Sequence, residues 1–187
     1  MLQHKGTQLL ETPRLILRKF TMDDTQAMYE NWASDPEVTK YLTWPTHENA
    51  GISEMVLRDW CSHYPEPDFY QWAIVPKALG EPIGSISVVK IHEDAQWVEL
   101  GYCIGRKWWR GGYTSEALKA LVAFFFEEVG AGRIQALHDP RNPNSGAVMR
   151  KCGLISEGTL RQAGRNNQGI CDETIYAILR EEYHTCK

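Results

Sequence analysis

The chain has 187 residues, of which 43% are hydrophobic and 24% are charged. This length predicts one domain spanning residues 1–187, and the composition excludes a disordered, collagenous or coiled-coil protein. The 20 Lys and Arg residues are outnumbered by 24 Asp and Glu residues, which gives a formal charge of −4. Since proteins that bind a nucleic-acid backbone are usually basic, we expect no nucleic-acid partner.

Neither a membrane span nor an export signal is predicted. The longest apolar stretch, around residues 121–126, is far shorter than the ~20 residues that cross a bilayer. The N-terminal residues MLQHKG are not followed by an apolar signal region. We therefore expect a cytoplasmic protein with no membrane partner. The cysteines form no CxxC pair or zinc-like cluster, so we expect no metal and reduced, mostly buried thiols at Cys61, Cys103, Cys152, Cys171 and Cys186.

The first third of the chain predicts a strand followed by two helices. Residues 15–20 alternate apolar and polar side chains, as in a strand. A helix start follows at Thr21, with two acids in its first turn, and Asp35-Pro36 interrupts this helix. A second helix, with apolar residues on one face, is predicted over residues 47–64.

The rest of the chain predicts a mixed α+β fold. Segments 69–76, 82–91 and 96–104 have strand patterns and are joined by turns of hairpin length. A helix from 114 to 129 and a strand over 133–138 complete a βαβ unit, which implies one parallel strand pair. The predicted elements at the C-terminal end are a helix over 144–152 and two strands over 154–164 and 170–180.

The first candidate site is the turn that leads into the helix starting at Thr114. Gly111 and Gly112 let the backbone approach a ligand closely and adopt positive φ. The N–H groups of the first helical turn lack partners, and Arg110 adds a cation, so the segment suits a pyrophosphate. The alternative is a structural turn with Thr114 or Ser115 as the N-cap.

Two further candidates lie near the predicted parallel pair. Asn142 and Ser145 open the helix after strand 133–138, where such residues are either caps or ligand contacts between two converging helix starts. Glu99 shares one strand face with Gly101 and Cys103. A carboxylate amid apolar neighbours is expected to have a pKa raised by desolvation, as a general base requires, and the alternative is a solvent-exposed position.

Together these blocks resemble the GNAT superfamily of acyl-CoA-dependent N-acyltransferases. The opening segment ETPRLILRKF, the segment VELGYCIGRKWWRGGYTSEA, the block NPNSGAVMRKCGL and the closing hairpin LRQAGRNNQGICDETIYAIL are most similar to the ribosomal-protein N-terminal acetyltransferase branch. The resemblance covers residues 10–183. It implies a mostly antiparallel central sheet, with helices on both faces and one parallel βαβ pair that splays at the acyl-CoA site.

The resemblance also implies roles for individual residues. The backbone at Ile104 would pair with the pantetheine arm of acetyl-CoA, and Asn142 would contact the pantetheine or the ADP portion. Glu99 would act as the general base and Ser145 would lie near the thioester sulfur. The pyrophosphate would bind the N–H groups of Arg110, Gly111, Gly112, Tyr113, Thr114 and Ser115.

The chain departs from the family pattern at three places. Trp109 stands where Gln or Arg begins the family turn, and Thr114 stands where Gly or Ala ends it. Met149 occupies the position of the Tyr that protonates the leaving thiolate in many relatives. Ser145, directly or through water, is therefore the candidate acid.

The resemblance implies direct transfer of an acetyl group from acetyl-CoA to a primary amine. The N-terminal α-amine of a protein or peptide is the first choice of acceptor. A small-molecule amine is the alternative, and an acyl-CoA-binding module without turnover is a third hypothesis. A homodimer is compatible with the sequence but not required by it. The acceptor pocket is expected to draw on Trp32, Tyr41, Trp44, Trp72, Trp108, Trp109 and the loop 163–169, with His138 at its border.

Overall fold

A computed structural model describes residues 1–185 of the chain. Its strands form one eight-stranded sheet in the order β1-β2-β3-β4-β5-β6-β8-β7. The strand bounds are β1 Leu10–Glu11, β2 Leu15–Arg18, β3 Gln71–Pro76, β4 Gly84–His92, β5 Trp97–Ile104, β6 Arg133–His138, β7 Ile155–Asn166 and β8 Gly169–Leu179.

The helices lie on both faces of this sheet and agree with the predicted order, with two additions. Their bounds are α1 Thr25–Met28, α2 Pro36–Thr39, α3 Ala50–His63, α4 Tyr113–Phe124, α5 Pro143–Lys151 and α6 Arg180–Thr185. A 3₁₀ turn precedes α1, and a wider turn of the π type extends both α1 and α4. Within residues 1–185, each helix is too short or too polar to traverse a lipid bilayer.

The short helices α2 and α6 were not predicted. The Asp35-Pro36 pair ends the preceding helix, as expected, but it also begins α2. The Asp35 side chain accepts a hydrogen bond from the Glu37 backbone N–H at 3.0 Å, and Pro36 occupies the first helical position, where no N–H is needed.

The parallel pair β5–β6 is the point at which the sheet opens. Every other neighbouring pair is antiparallel, whereas β5 and β6 run parallel and pair only from Trp97 to Glu99 with Arg133 to Gln135. Beyond Glu99 the two strands separate. The predicted βαβ unit with one parallel pair is therefore confirmed, and so is the splayed sheet that the resemblance implied.

Strand alternation places the main core between the sheet and α4. Val98, Leu100 and Ile104 of β5 point to this side and are buried against Leu118 and Leu121 of α4. A second apolar cluster on the other face packs α1 and α3 against β3. The sheet is therefore covered on both faces, and β5 is buried on the α4 side and half-buried on the other.

The described cysteines are unpaired. Cys152 and Cys171 are buried, whereas Cys61 and Cys103 are half-buried. These four thiols are free, as predicted, but only two of them are fully buried, and Cys186 lies outside the described residues.

Candidate active site

A cavity of ≈ 600 Å³ opens where β5 and β6 separate. Its walls come from α2 and the loop after it, the end of β5, the turn into α4, and the first turns of α5. The predicted convergence of the two helix starts is confirmed. The predicted residues on the walls are Ile104, Arg110, Gly112, Thr114, Ser115, Asn142 and Ser145, whereas Gly111, Tyr113 and Glu99 do not line it.

The backbone conformation of the turn into α4 suits the binding of an anion. Gly112 is the N-cap residue, with φ +79°, and Arg110 also takes a left-handed φ of +62°. The alternative in which Thr114 or Ser115 caps the helix is wrong, because both follow the cap and are buried within the first turn. A glycine cap supplies no side-chain acceptor, so the first N–H groups of α4 stay available to a ligand.

Two cations beside this turn were not predicted. The Arg14 Nη1 donates to the Gly111 carbonyl at 3.0 Å, and its guanidinium lies 4.5 Å from the centre of the Tyr113 ring. A Cβ atom at Gly112 would lie 3.4 Å from Arg14 Nη2 and 3.8 Å from Lys151 Nζ. The turn therefore faces two cations besides Arg110.

Glu116 holds Arg14 in this position. Its carboxylate accepts from Arg14 Nε at 2.7 Å, from the Arg14 backbone N–H at 2.9 Å and from the Thr12 hydroxyl at 2.6 Å. Partial burial acts to raise the pKa of Glu116, but the hydrogen bonds from Thr12 and Arg14 outweigh it and hold that pKa below its usual value. Arg14 is thereby locked against the turn.

The end of β5 offers backbone groups to the cavity. The Gly105 N–H donates to the carbonyl of Ile83, the residue before β4, so by alternation the N–H and carbonyl of Ile104 point away from β4 into the opening. The Ile104 carbonyl accepts the Trp109 indole N–H at 2.9 Å. The Ile104 N–H faces the side from which a β-like ligand would pair.

The start of α5 presents polar side chains that are not used as caps. Asn142 occupies the N-cap position, yet no capping hydrogen bond of its side chain is found among the described residues. The Ser145 hydroxyl lies 3.1 Å from the Tyr102 hydroxyl, which also donates to the Ser145 carbonyl at 3.0 Å. Met149 is buried in the core and does not line the cavity. Tyr102 was not among the predicted site residues.

Glu99 lies on the opposite face of the sheet, at the last residue of β5 that pairs with β6. It is half-buried, and Gln135 Nε2 donates to its carboxylate at 2.8 Å. Glu173 of β8 is on the same face, and its carboxyl fills the space that a Cβ at Gly164 would occupy. Burial, and then the charge of Glu99, raise the pKa of Glu173.

The loop between β6 and α5 is rigidly held. Asp139 is buried and accepts hydrogen bonds from Arg141 and from Asn166 at the tip of the β7–β8 hairpin. His138 Nδ1 lies 2.9 Å from the Asp139 carbonyl and 3.1 Å from the Asn142 carbonyl, so its ring N–H donates to the backbone of this loop. Hydrogen bonds from Arg141 lower the pKa of Asp139 from 3.8 to about 2.

Asp139→Asn is expected to destabilise the protein in a pH-dependent way. A carboxyl whose pKa is lower in the folded state stabilises the folded protein at pH values above its unfolded pKa of 3.8. That contribution is lost as the pH falls towards 2. At neutral pH the variant should lose about 2 kcal/mol of unfolding free energy. Urea unfolding measured between about pH 5 and about pH 3 should show the difference shrinking. A constant difference would mean that the charge of Asp139 is not the stabilising feature.

The predicted aromatic acceptor pocket is only partly present. Tyr41, Trp108 and Trp109 line the cavity. Trp32 and Trp72 are fully buried in the two core clusters, so their prediction as pocket walls is wrong. Their aromatic bulk serves packing instead.

Comparison with known proteins places this geometry in a family. Residues 14–155 match the family described as "Acetyltransferase (GNAT) domain". The chain belongs to the GNAT acetyltransferase family. It is 31% identical over 172 residues to the uncharacterized N-acetyltransferase YoaA of Bacillus subtilis (strain 168), covering 92% of this chain and 97% of YoaA. The protein is therefore an acyl-CoA-dependent N-acetyltransferase with the expected GNAT fold.

Two further matches are proteins that are themselves named as ribosomal-protein acetyltransferases. The ribosomal-protein-serine acetyltransferase of Escherichia coli (strain K12) is 32% identical over 99 residues, covering 53% of this chain and 55% of that protein. The structure of RimL, a ribosomal L7/L12 alpha-N-protein acetyltransferase in complex with coenzyme A, superposes with a TM-score of 0.81. It is 19% identical, covers 92% of this chain and 98% of RimL, and supports the fold.

Proposed function

We propose that the protein transfers the acetyl group of acetyl-CoA directly to a primary amine, with the N-terminal α-amine of a protein or peptide as the preferred acceptor. The observation that carries the proposal is the convergence of two helix starts and the free edge of β5 on one cavity. A helix start binds phosphate oxygens, and a free strand edge pairs with an amide-containing arm. Pyrophosphate and pantetheine have these two chemistries.

Different residues bind different parts of acetyl-CoA. The pyrophosphate binds the N–H groups of the predicted residues that line the cavity, namely Arg110, Gly112, Thr114 and Ser115. Arg14 and Lys151, whose cationic groups lie against Gly112, strengthen this binding. The Ile104 N–H pairs with the pantetheine arm. The uncommitted Asn142 side chain contacts the pantetheine or the ADP portion.

The proposed reaction uses one group from each face of the sheet, Glu99 as the base and Ser145 as the acid. The amine loses a proton to Glu99, through water, and attacks the thioester carbonyl, which the backbone of β5 polarises. The C–S bond breaks and its electron pair stays on sulfur. Ser145 passes a proton to the thiolate, directly or through water. Much of the acceleration comes from holding the amine and the thioester together.

The β7–β8 hairpin restricts the acceptor. Asn167 Nδ2 donates to the carbonyls of Thr39 at 2.8 Å and Trp44 at 2.7 Å, and its backbone N–H donates to Leu42 at 3.1 Å. The hairpin tip thus closes onto the loop after α2, which also lines the cavity. An acceptor that reaches the thioester past this contact is either a flexible chain end or a small molecule, so a small amine is the second candidate.

Thiol release from acetyl-CoA tests the proposal with two acceptor sets run side by side. One set contains short peptides with free Ser, Thr or Ala N-termini, and the other contains polyamines and aminoglycosides. Turnover with the peptides alone is the expected result. Turnover confined to small amines would keep the reaction and overturn the acceptor.

Thermal unfolding separates an enzyme from a binding module. At 100-fold excess over its Kd, acetyl-CoA should add ~2.7 kcal/mol of stability, which raises the melting temperature by roughly 5–10 °C. Stabilisation without thiol release on any amine would favour a non-catalytic acyl-CoA-binding module. No stabilisation at all would contradict acetyl-CoA binding itself.

A further inference from the structure

Tyr102 lies in the opening between β5 and β6. It follows Glu99, the last paired residue of β5, by three positions and shares the face of Leu100 and Ile104. Its side chain therefore points to the same side of the sheet as α4 and α5. The phenol reaches the first turn of α5, and both Tyr102 and Ser145 line the cavity.

The two hydroxyl groups restrain one another. A phenol has one proton to donate, and the Tyr102 proton is shared between the Ser145 carbonyl at 3.0 Å and the Ser145 Oγ at 3.1 Å. Because the Ser145 Oγ accepts from the phenol, its own proton is not used in this contact. The contact selects one side-chain rotamer of Ser145 and leaves its hydroxyl proton free to face the cavity.

Burial keeps the Tyr102 phenol in its donor form. Desolvation raises its pKa, and this effect outweighs the hydrogen bond with Ser145, which acts to lower it. The phenol is therefore neutral at physiological pH and keeps the proton that it donates to Ser145. This contact orients the Ser145 side chain.

We propose that Tyr102 is a positioning residue that orients the Ser145 hydroxyl towards the sulfur of the bound thioester. The inference rests on the proposed function, in which Ser145 meets the leaving thiolate. The separation of β5 from β6 beyond Glu99 is what gives the phenol room to reach α5. If the two strands stayed paired beyond Glu99, the phenol would have no space there. Without the phenol, Ser145 on its half-exposed helix start is free to take other rotamers.

A double-mutant cycle with Tyr102→Phe and Ser145→Ala tests this inference. Tyr102→Phe should lower kcat about tenfold, the equivalent of one hydrogen bond, with little change in KM for acetyl-CoA. In the Ser145→Ala background the same substitution should have almost no further effect, because Tyr102 acts through Ser145. Equal losses in both backgrounds, or no loss in either, would overturn the inference.

Tyr176→Phe is the matched control. The Tyr176 hydroxyl also contacts α5, where it accepts a hydrogen bond from Arg150 at 2.7 Å, but it makes no described contact with Ser145. It should leave kcat unchanged even if it lowers the melting temperature. A kcat loss equal to that of Tyr102→Phe would show that any weakening of the α5 attachment has the same effect.

A crystal structure of each protein supplies a readout that does not depend on turnover. The wild type should show one Ser145 rotamer, and Tyr102→Phe should show several or a different one. An unchanged rotamer would overturn the inference. Failure of the proposed function has a different signature, namely no thiol release by the wild type with any amine.

Discussion

Gly112→Asp is expected to abolish acetyl-CoA binding. The new carboxylate would enter a turn whose N–H groups and neighbouring Arg14 and Lys151 cations are arranged for an anion. It would satisfy those groups itself and repel the pyrophosphate. We expect the affinity to fall at least about 100-fold, because charged hydrogen bonds are lost and like charges are brought together. The measurement is the shift in melting temperature with acetyl-CoA, which should disappear.

Gly80→Asp controls for backbone strain. Gly80 has the same φ of +79°, and a Cβ there meets nothing within 4 Å. Both substitutions should cost about 1–2 kcal/mol for a left-handed non-glycine residue, but only Gly112→Asp should remove the cofactor response. An acetyl-CoA shift retained by Gly112→Asp would show that the turn is purely structural.

Glu99→Gln is expected to give the largest loss of catalysis. Replacing a general base by an isosteric amide should lower kcat by ~10²–10⁴. The KM for acetyl-CoA should change little, because Glu99 lies outside the cavity and on the other face of the sheet. Steady-state rates with saturating amine and varied acetyl-CoA measure kcat and this KM separately.

Glu173→Gln is the companion variant, because Glu173 shares the face of Glu99 and the two carboxylates interact. Because Glu99 is the proposed base, we expect Glu173→Gln to keep most of the activity. If Glu173→Gln abolished turnover while Glu99→Gln retained it, the base would be Glu173 instead.

Local patterns predicted most of the fold. The strand over 133–138 agrees with β6 residue for residue, because an alternating segment is bounded by Gly132 and by Asp139-Pro140. The start of α4 was placed within one residue, although the N-cap proved to be Gly112. The alternation of side chains along β5 also predicted which of its residues share each face.

Contacts between distant segments could not be predicted from the sequence. Arg14 and Gly111 are 97 residues apart, and Tyr102 and Ser145 are 43 residues apart. Such pairs depend on how the strands stack and where the sheet opens, which no local spacing encodes. The prediction of aromatic pocket walls was wrong at Trp32 and Trp72 for a related reason. Both are core residues, and only their three-dimensional surroundings distinguish them from residues that line a pocket.

Direct attack by the amine is the central claim, and the cavity contains one group that offers another route. Cys103 lines the cavity, but burial raises the pKa of its thiol, which disfavours the nucleophilic thiolate. Its described polar contact is the Ser85 hydroxyl, which is no general base. The structure therefore favours transfer without an acetyl-cysteine intermediate.

Rapid-mixing measurement of thiol release, with and without an amine acceptor, tests this claim most directly. Stoichiometric enzyme is mixed with acetyl-CoA and a thiol reagent follows the free coenzyme. Direct attack predicts no release until the amine is added, followed by steady turnover. A burst of one equivalent of thiol in the absence of amine would reveal a covalent acetyl-enzyme and contradict the account.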